Sequence, residues 1–288
     1  MGGIVSVKLR PDNFQVISNA VPNGLTGEHV PAVPGPRGVA IDIANATLQY
    51  PIGPFVRGSL KSALFSLFGH KEQKTAPTFV NAFTDLSLSI SVGERVGIIG
   101  SNGSGKSTLL RAMADVYPLQ EGTVTVIGQI GTLLDIGLGF EPESTGRENI
   151  YYRGMAMGYS RREIAKAEAA IIAFAGLGDF IDLPMRTYSS GMYVRLGFAV
   201  STQFQPDVLL IDEVFGAGDA AFAERALQRM LHLVETAGIV VMVSHDLALI
   251  QRLCSRVVWI NRGVVVRDGA ASAVIPQFQQ YMTGELVL

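Results

Sequence analysis

Cysteine is nearly absent. Cys254 is the single one in 288 residues, so no internal disulfide can form and the fold must rest on a packed core. Long apolar runs are missing too: none approaches the about 18–20 residues that cross a bilayer, so the chain is not expected to form a channel itself. The N-terminus lacks the charged-then-apolar pattern of a secretory leader. Basic charge is not in excess. Lys and Arg number 23 against 25 Asp and Glu, a formal net charge of −2, and the pI is about 6.1, which argues against nucleic acid as the main partner. Neither a repeated unit nor a coiled-coil heptad pattern is found. Against these absences stand a hydrophobic fraction of 48% and a mean hydropathy of +0.31, both high for a freely soluble protein.

The densest signal is Gly97 to Leu110, GIIGSNGSGKSTLL. Gly100-Ser101-Asn102-Gly103-Ser104-Gly105-Lys106-Ser107 is a complete match to the phosphate-binding loop G-x-x-x-x-G-K-[ST]. VGERVGII before it reads as a turn and a buried strand, and STLLRAMADV after it as a helix. Gly100, Gly103 and Gly105 let the backbone bend so that successive N–H groups converge on phosphate oxygens. The helix starting near Lys106 aims its positive end at the same point. Lys106 adds a full charge at the β- and γ-phosphates, Ser107 offers a hydroxyl to Mg²⁺, and Thr108 is placed for the α-phosphate. The ligand expected is therefore a nucleoside triphosphate with Mg²⁺.

A second apolar strand ends in acid: Val208-Leu-Leu-Ile-Asp212-Glu213. Ligands bind at the C-terminal edge of parallel strands in α/β sheets. There Asp212 is expected to hold Mg²⁺ through water, and Glu213 to polarise an attacking water as general base. Ser189, Ser190 and Gly191, after Tyr188, open another helix, and small hydroxylated residues at a helix start make an anion site. Ser244-His245-Asp246 follows the next apolar strand, Gly238 to Val243, which places His245 where a γ-phosphate sensor is needed.

Phosphate loop, serine–glycine helix start, acid-ended strand and strand-end histidine occur together on this chain. The set resembles the nucleotide-binding subunit of an ATP-binding cassette (ABC) transporter, over roughly Val39 to Ala273. YSSGMYVRL, GFEPESTGRENI and DEVFGAGD resemble most the exporters of lipid-linked polysaccharides: O-antigen, capsule or teichoic acid. The resemblance implies an α/β fold, a P-loop NTPase of ABC type with a RecA-like core, an antiparallel β-lobe and a helical lobe carrying the signature. It further implies a homodimer closed head to tail around two ATP molecules. Each ATP would lie between Lys106, Ser107, Asp212 and Glu213 of one copy and Ser189 and Gly191 of the other, with His245 on the γ-phosphate and Asp219 in the loop that crosses the seam. A polysaccharide-export permease in the membrane would handle the lipid-linked glycan, with this subunit peripheral on the cytoplasmic face of the inner membrane. The apolar composition suits docking beneath such a partner, as it suits an ordinary rich core.

Other classes share these motifs. An importer or small-molecule exporter subunit is the alternative within transport. DNA-repair ATPases of the superfamily insert long coiled coils, which this chain lacks, and translation regulators pair two cassettes in one chain. The sequence also departs from the superfamily pattern. The signature commonly reads L-S-G-G-Q, and here Tyr188, Ser190 and Met192 replace its Leu, first Gly and Gln. The expected glutamine upstream of Pro142 falls near Asp135 and Ile136; Gln129 is too far upstream, which leaves Asp135 and Glu141 as candidates. Tyr50, at the end of AIDIANATLQY, is the candidate to stack on adenine or else packs at a strand end.

Along the chain, 1–38 is rich in Pro, Gly and Asn and reads as a flexible extension. Segments 39–50 and 83–95 alternate as strands. Between them, within an insertion at about 55–72, Leu60, Ala63, Leu64 and Leu67 recur at helical spacing beside Arg57 and Lys61, an amphipathic helix for a membrane, a permease or the cassette itself. Residues 131–204 read as helix-rich, with Ile164, Ala167, Ile171 and Phe174 on one face and a Ser160/Glu163 capping box. Asn261-Arg262-Gly263 reads as a hairpin turn. The domain is expected to end near 273, and 274–288 to be a short tail with no room for an appended sugar-binding module.

Overall fold

The structure, a computed structural model, describes residues 39–52, 78–134, 139–212 and 220–287. Three short apolar runs make its centre. β3 (Arg95–Ile99), β6 (Val208–Asp212) and β7 (Ile239–Val243) are buried almost throughout, as strands covered on both faces must be. They lie in a six-stranded sheet of order β5-β6-β7-β3-β8-β9. β5 (Ile130–Leu133), β6, β7, β3 and β8 (Arg256–Asn261) run parallel, and β9 (Val264–Ala270) returns antiparallel to β8. The Arg262-Gly263 turn of that hairpin is where the sequence puts it. Strand β5 occupies the start of the segment expected to be helix-rich from 131, and the first helix beyond it begins at Gly146.

A second, three-stranded antiparallel sheet has the order β2-β1-β4, from β1 (Val39–Ile52), β2 (Thr78–Ser91) and β4 (Glu121–Val126). Leu86, Leu88 and Ile90 of β2 turn inward and Ser87 and Ser89 outward, the period-2 pattern of a sheet with one buried face. Its core is continuous with one side of the large sheet through Val96, Ile98, Leu109 and Leu110.

Helices α1 (Lys106–Met113), α5 (Ala220–Thr236), α6 (Leu247–Leu253) and α7 (Ala271–Met282) surround the large sheet. Helix α7 takes up most of the expected tail, because Val274, Ile275 and Phe278 bury against Trp259 and its neighbours. The helical lobe is α2 (Gly146–Ala156), α3 (Arg161–Ala175) and α4 (Ser190–Ser201), closed on its own core of Ile150, Ile164, Ile171, Leu196 and Val200. Capping boxes start α2 at Thr145/Glu148 and α3 at Ser160/Glu163, and each satisfies two otherwise orphaned N–H groups. The extension 1–38 and the amphipathic segment 55–72 lie outside the described residues. No helix among the described residues is long and apolar enough to cross a membrane.

Candidate nucleotide site

The loop Gly100–Gly105 joins β3 to α1. Gly105 caps α1 at φ 101°, with no side chain bonded to the helix start. A Cβ at Gly105 would stand 2.5 Å from the Ala82 carbonyl oxygen, so glycine is demanded there by both conformation and space. The first turn of α1 carries no acid, which leaves its N–H groups and dipole available to an anion.

Lys106 is 7% exposed. Its Nζ donates to the carbonyl oxygens of Gly100 and Ser101, both at 2.9 Å. Burial lowers the ammonium pKa, opposed by the Asp212 carboxylate. The loop thus holds its own cation curled back on itself, with charge available to phosphate. Ser107 Oγ donates to Asp212 Oδ1 at 3.1 Å, so residues 105 positions apart meet at the C-terminal edge of β6. Two hard oxygen donors beside a phosphate loop fit Mg²⁺, which binds through few protein ligands and keeps others from water and phosphate.

Tyr50 also arrives at this helix. Its hydroxyl donates to Thr108 Oγ1 at 3.1 Å, and its ring meets Tyr117 edge-to-face at 5.6 Å. Burial raises its phenol pKa. Tyr117, missed in the sequence, stands just past α1, and only the fold brings it to Tyr50.

His245 follows β7 on an exposed loop. It shares a cavity of about 420 Å³ with Gly100, Ser101, Asn102 and Ser244, and Phe278 and Met282 of α7 also line it. Ser189 and Gly191 sit in the other lobe, at the start of α4, where Ser189 Oγ accepts from the Met192 N–H at 3.3 Å. Ser189 is exposed, and among the described residues neither it nor Gly191 bonds to the phosphate loop. Glu213, Asp219 and Asp135 lie outside the described residues. Glu141 is exposed, and its carboxylate accepts from the Glu143 N–H at 3.3 Å, which turns it to its own bend.

Asn149 is a residue that sequence reading passed over. It is fully buried. Its side chain accepts from the Glu141 N–H at 2.7 Å and donates to the carbonyls of Glu141 and Thr145 at 2.9 Å. One side chain thereby folds the approach to α2. The Thr145-x-x-Glu148 spacing was the available signal that a helix begins there.

Comparison with known proteins adds to this geometry. A family described as ABC transporter matches residues 83–216. The chain is 37% identical over 242 residues to an O-antigen export system ATP-binding protein of Klebsiella pneumoniae, covering 84% of this chain and 98% of that one. It is 41% identical over 222 residues to an O-antigen export system ATP-binding protein of Myxococcus xanthus, covering 77% of this chain and 51% of that relative, so it spans about half the relative's length. Among solved structures, a dimeric ATP-binding cassette in a post-hydrolysis state with ADP and phosphate superposes with a TM-score of 0.59 at 22% identity, over 80% of this chain and 98% of that one.

Proposed function

Because this chain belongs to the ABC transporter ATP-binding family, we propose that it hydrolyses ATP to power export of a lipid-linked polysaccharide, O-antigen-like, through a transmembrane permease. The observation that carries the ATP half is the Ser107–Asp212 contact of 3.1 Å beside the curled Lys106. The glycan half is supported by the identity to O-antigen export subunits.

On this reading, Lys106 leaves the Gly100 and Ser101 carbonyls and pairs with the β- and γ-phosphate oxygens. The N–H groups from Ser101 to Thr108 cradle the phosphates, and the Tyr50 ring stacks on adenine. Ser107 and Asp212 would hold Mg²⁺, which would supply positive charge to the reaction. Glu213 takes a proton from the attacking water, and His245 contacts the γ-phosphate. A second copy closes the site with its own Ser189 and Gly191, and Asp219 lies in the seam. ATP binds the closed pair better than the open one, so its hydrolysis reopens the dimer. The subunit works at the cytoplasmic face of the inner membrane, held there by its permease.

Two measurements test the halves separately. Lys106→Ala should abolish useful ATP binding, and Glu213→Gln should bind ATP while turnover falls about 10²–10⁴-fold; near-normal turnover would remove Glu213 from the base role. A tagged pull-down from detergent-solubilised membranes should recover a polysaccharide-type permease in a two-plus-two complex. A permease of another type would keep the ATP chemistry and discard the glycan.

A further inference from the structure

Residue 188 is a leucine in the common signature and a tyrosine here, and the structure gives that tyrosine specific partners. Tyr188 directly precedes Ser189. Its side chain is 8% exposed, and its hydroxyl donates to the Phe180 carbonyl at 2.7 Å. The same oxygen lies over Gly146, the first residue of α2. A Cβ there would stand 2.2 Å from it, and 3.0 Å from Ile181 Cδ1. The ring meets Tyr193 edge-to-face at 6.0 Å, and Tyr193 meets Phe140 in the same manner at 5.9 Å. Burial raises the phenol pKa, so the hydroxyl remains a donor at neutral pH.

The backbone around this contact is paired along its length. The N–H of Met185 donates to the Ser144 carbonyl and that of Arg186 to the Pro142 carbonyl, both at 2.9 Å. Thr145 bridges to Pro184. Arg147 grips Asp182 through two bonds, at 2.7 and 3.1 Å. Residues 141–149 and 180–188 are one body, and Tyr188 is its last link before α4. Ser189 itself is exposed; its side chain accepts the 3.3 Å cap bond and its carbonyl accepts from the Tyr193 N–H at 3.1 Å.

We propose that Tyr188, seated on Gly146, is a positioning residue: it fixes the start of α4 so that Ser189 and Gly191 move as one body with residues 141–149. The proposal rests on reading Ser189 and Gly191 as contacts to the nucleotide held by a second copy. Physically, a leucine could not donate to the Phe180 carbonyl, which would then keep only its bond from the Leu183 N–H at 3.0 Å and lose the shorter of its two. Gly146 is the matching half, because only a residue without Cβ leaves room for the phenol oxygen.

The test uses the full chain and reads kcat, ATP-driven dimerisation and, separately, binding of a fluorescent ATP analogue to the monomer. Gly146→Ala should lower kcat about 10–100-fold, the scale of an ångström's misplacement of a contact group, with monomer affinity unchanged. Tyr188→Phe keeps the ring and should lower kcat by itself, by less. In the Gly146→Ala background, Tyr188→Phe removes the oxygen that the new methyl meets and should restore part of the loss. Recovery is partial because the Ile181 contacts remain. Relief of the clash would restore folding too, so it is the unchanged monomer affinity of Gly146→Ala that separates the positioning role from a general loss of folding. The proposal is overturned if Gly146→Ala turns over normally, if the double variant is no better than Gly146→Ala, or if monomer affinity falls in step with kcat. Ser189→Arg separates the two layers. If it blocks dimer closure and Gly146→Ala does not, the positioning role alone fails. If Ser189→Arg closes normally, the premise fails and takes the proposal with it.

Discussion

Tyr50 reaches α1 with its hydroxyl and, on the proposed reading, stacks its ring on adenine; substitution separates the two. Tyr50→Ala should weaken ATP binding about 5- to 150-fold, from the roughly 1–3 kcal/mol of a base–aromatic stack. Tyr50→Phe keeps the ring but loses the hydroxyl's Thr108 bond, and should cost about 0.5–1.5 kcal/mol of stability with little change in affinity. Calorimetric titration of both variants decides it, and an unchanged Tyr50→Ala would place adenine elsewhere. Cys254 provides a residue-scale check on the core. It is buried, and burial pushes its thiol up to about 12. Thiolate is the reactive form, so native protein at pH 8 should resist iodoacetamide and become labelled only in urea, as read by mass spectrometry. Stoichiometric labelling of the folded chain would contradict the packing around α6. At this scale the phosphate loop was legible because it is contiguous, and its glycines and lysine carry their chemistry in their spacing. The Tyr188–Gly146 contact was not: the two stand 42 positions apart, and nothing in the sequence couples the departure at Tyr188 to that glycine.

Helix α3 shows what local sequence encodes and what it leaves to packing. The Ser160/Glu163 box and the face of Ile164, Ala167 and Ile171 follow from residue spacing, and the structure buries those three; Phe174 is half-buried between α3 and the aromatic side of α5. Ile171→Ala should cost about 2–5 kcal/mol, against about 1 for Ser160→Ala, in urea unfolding followed by circular dichroism. Equal losses would mean that the cap, not the core, holds the helix. Strand β5 was hidden for the opposite reason. Ile130–Leu133 is four residues with a glycine inside, and it becomes a strand only by pairing with Val208–Ile211 of β6. The bonds between elements were equally illegible. Arg147 of α2 pairs with Asp182 and Glu168, and Tyr151 donates to Glu168 at 2.6 Å. The Asp182 carboxyl is held below its usual range by Arg147, and that of Glu168 by the Tyr151 hydroxyl and then Arg147. A lowered folded pKa gives stability that is present above the unfolded value, about 4, and is lost as pH falls through the folded one. The difference in urea midpoint between wild type and Arg147→Met should therefore shrink between neutral pH and pH 3. A difference constant with pH would remove the carboxylates from the account.

For the molecule as a whole, the arrangement of the two lobes carries the consequence. The phosphate loop, Asp212 and His245 gather on the edge of the large sheet, and Ser189 and Gly191 stand on a lobe with its own core. On the proposed reading neither half is sufficient, so a single chain of 30.8 kDa binds nucleotide and a pair is needed to enclose it. Hydrolysis would discharge the closed state, and the variant that cannot hydrolyse should accumulate it. Glu213→Gln with ATP and Mg²⁺ is expected to elute at about twice the monomer mass by size exclusion with light scattering, and as a monomer with ADP. Chelating Mg²⁺ should leave nucleotide bound more weakly and the dimer fraction reduced, because Ser107 and Asp212 would then face the phosphates without the ion between them. Adding Ser189→Arg to Glu213→Gln places a bulky charged side chain at the start of α4, far from that chain's own phosphate loop in sequence and on the other lobe. It should abolish the dimer and keep monomer affinity within about twofold, since on the proposed reading the residue touches only the second copy's nucleotide. Loss of affinity in the monomer would show instead that Ser189 serves the site of its own chain, and head-to-tail closure would have to be abandoned.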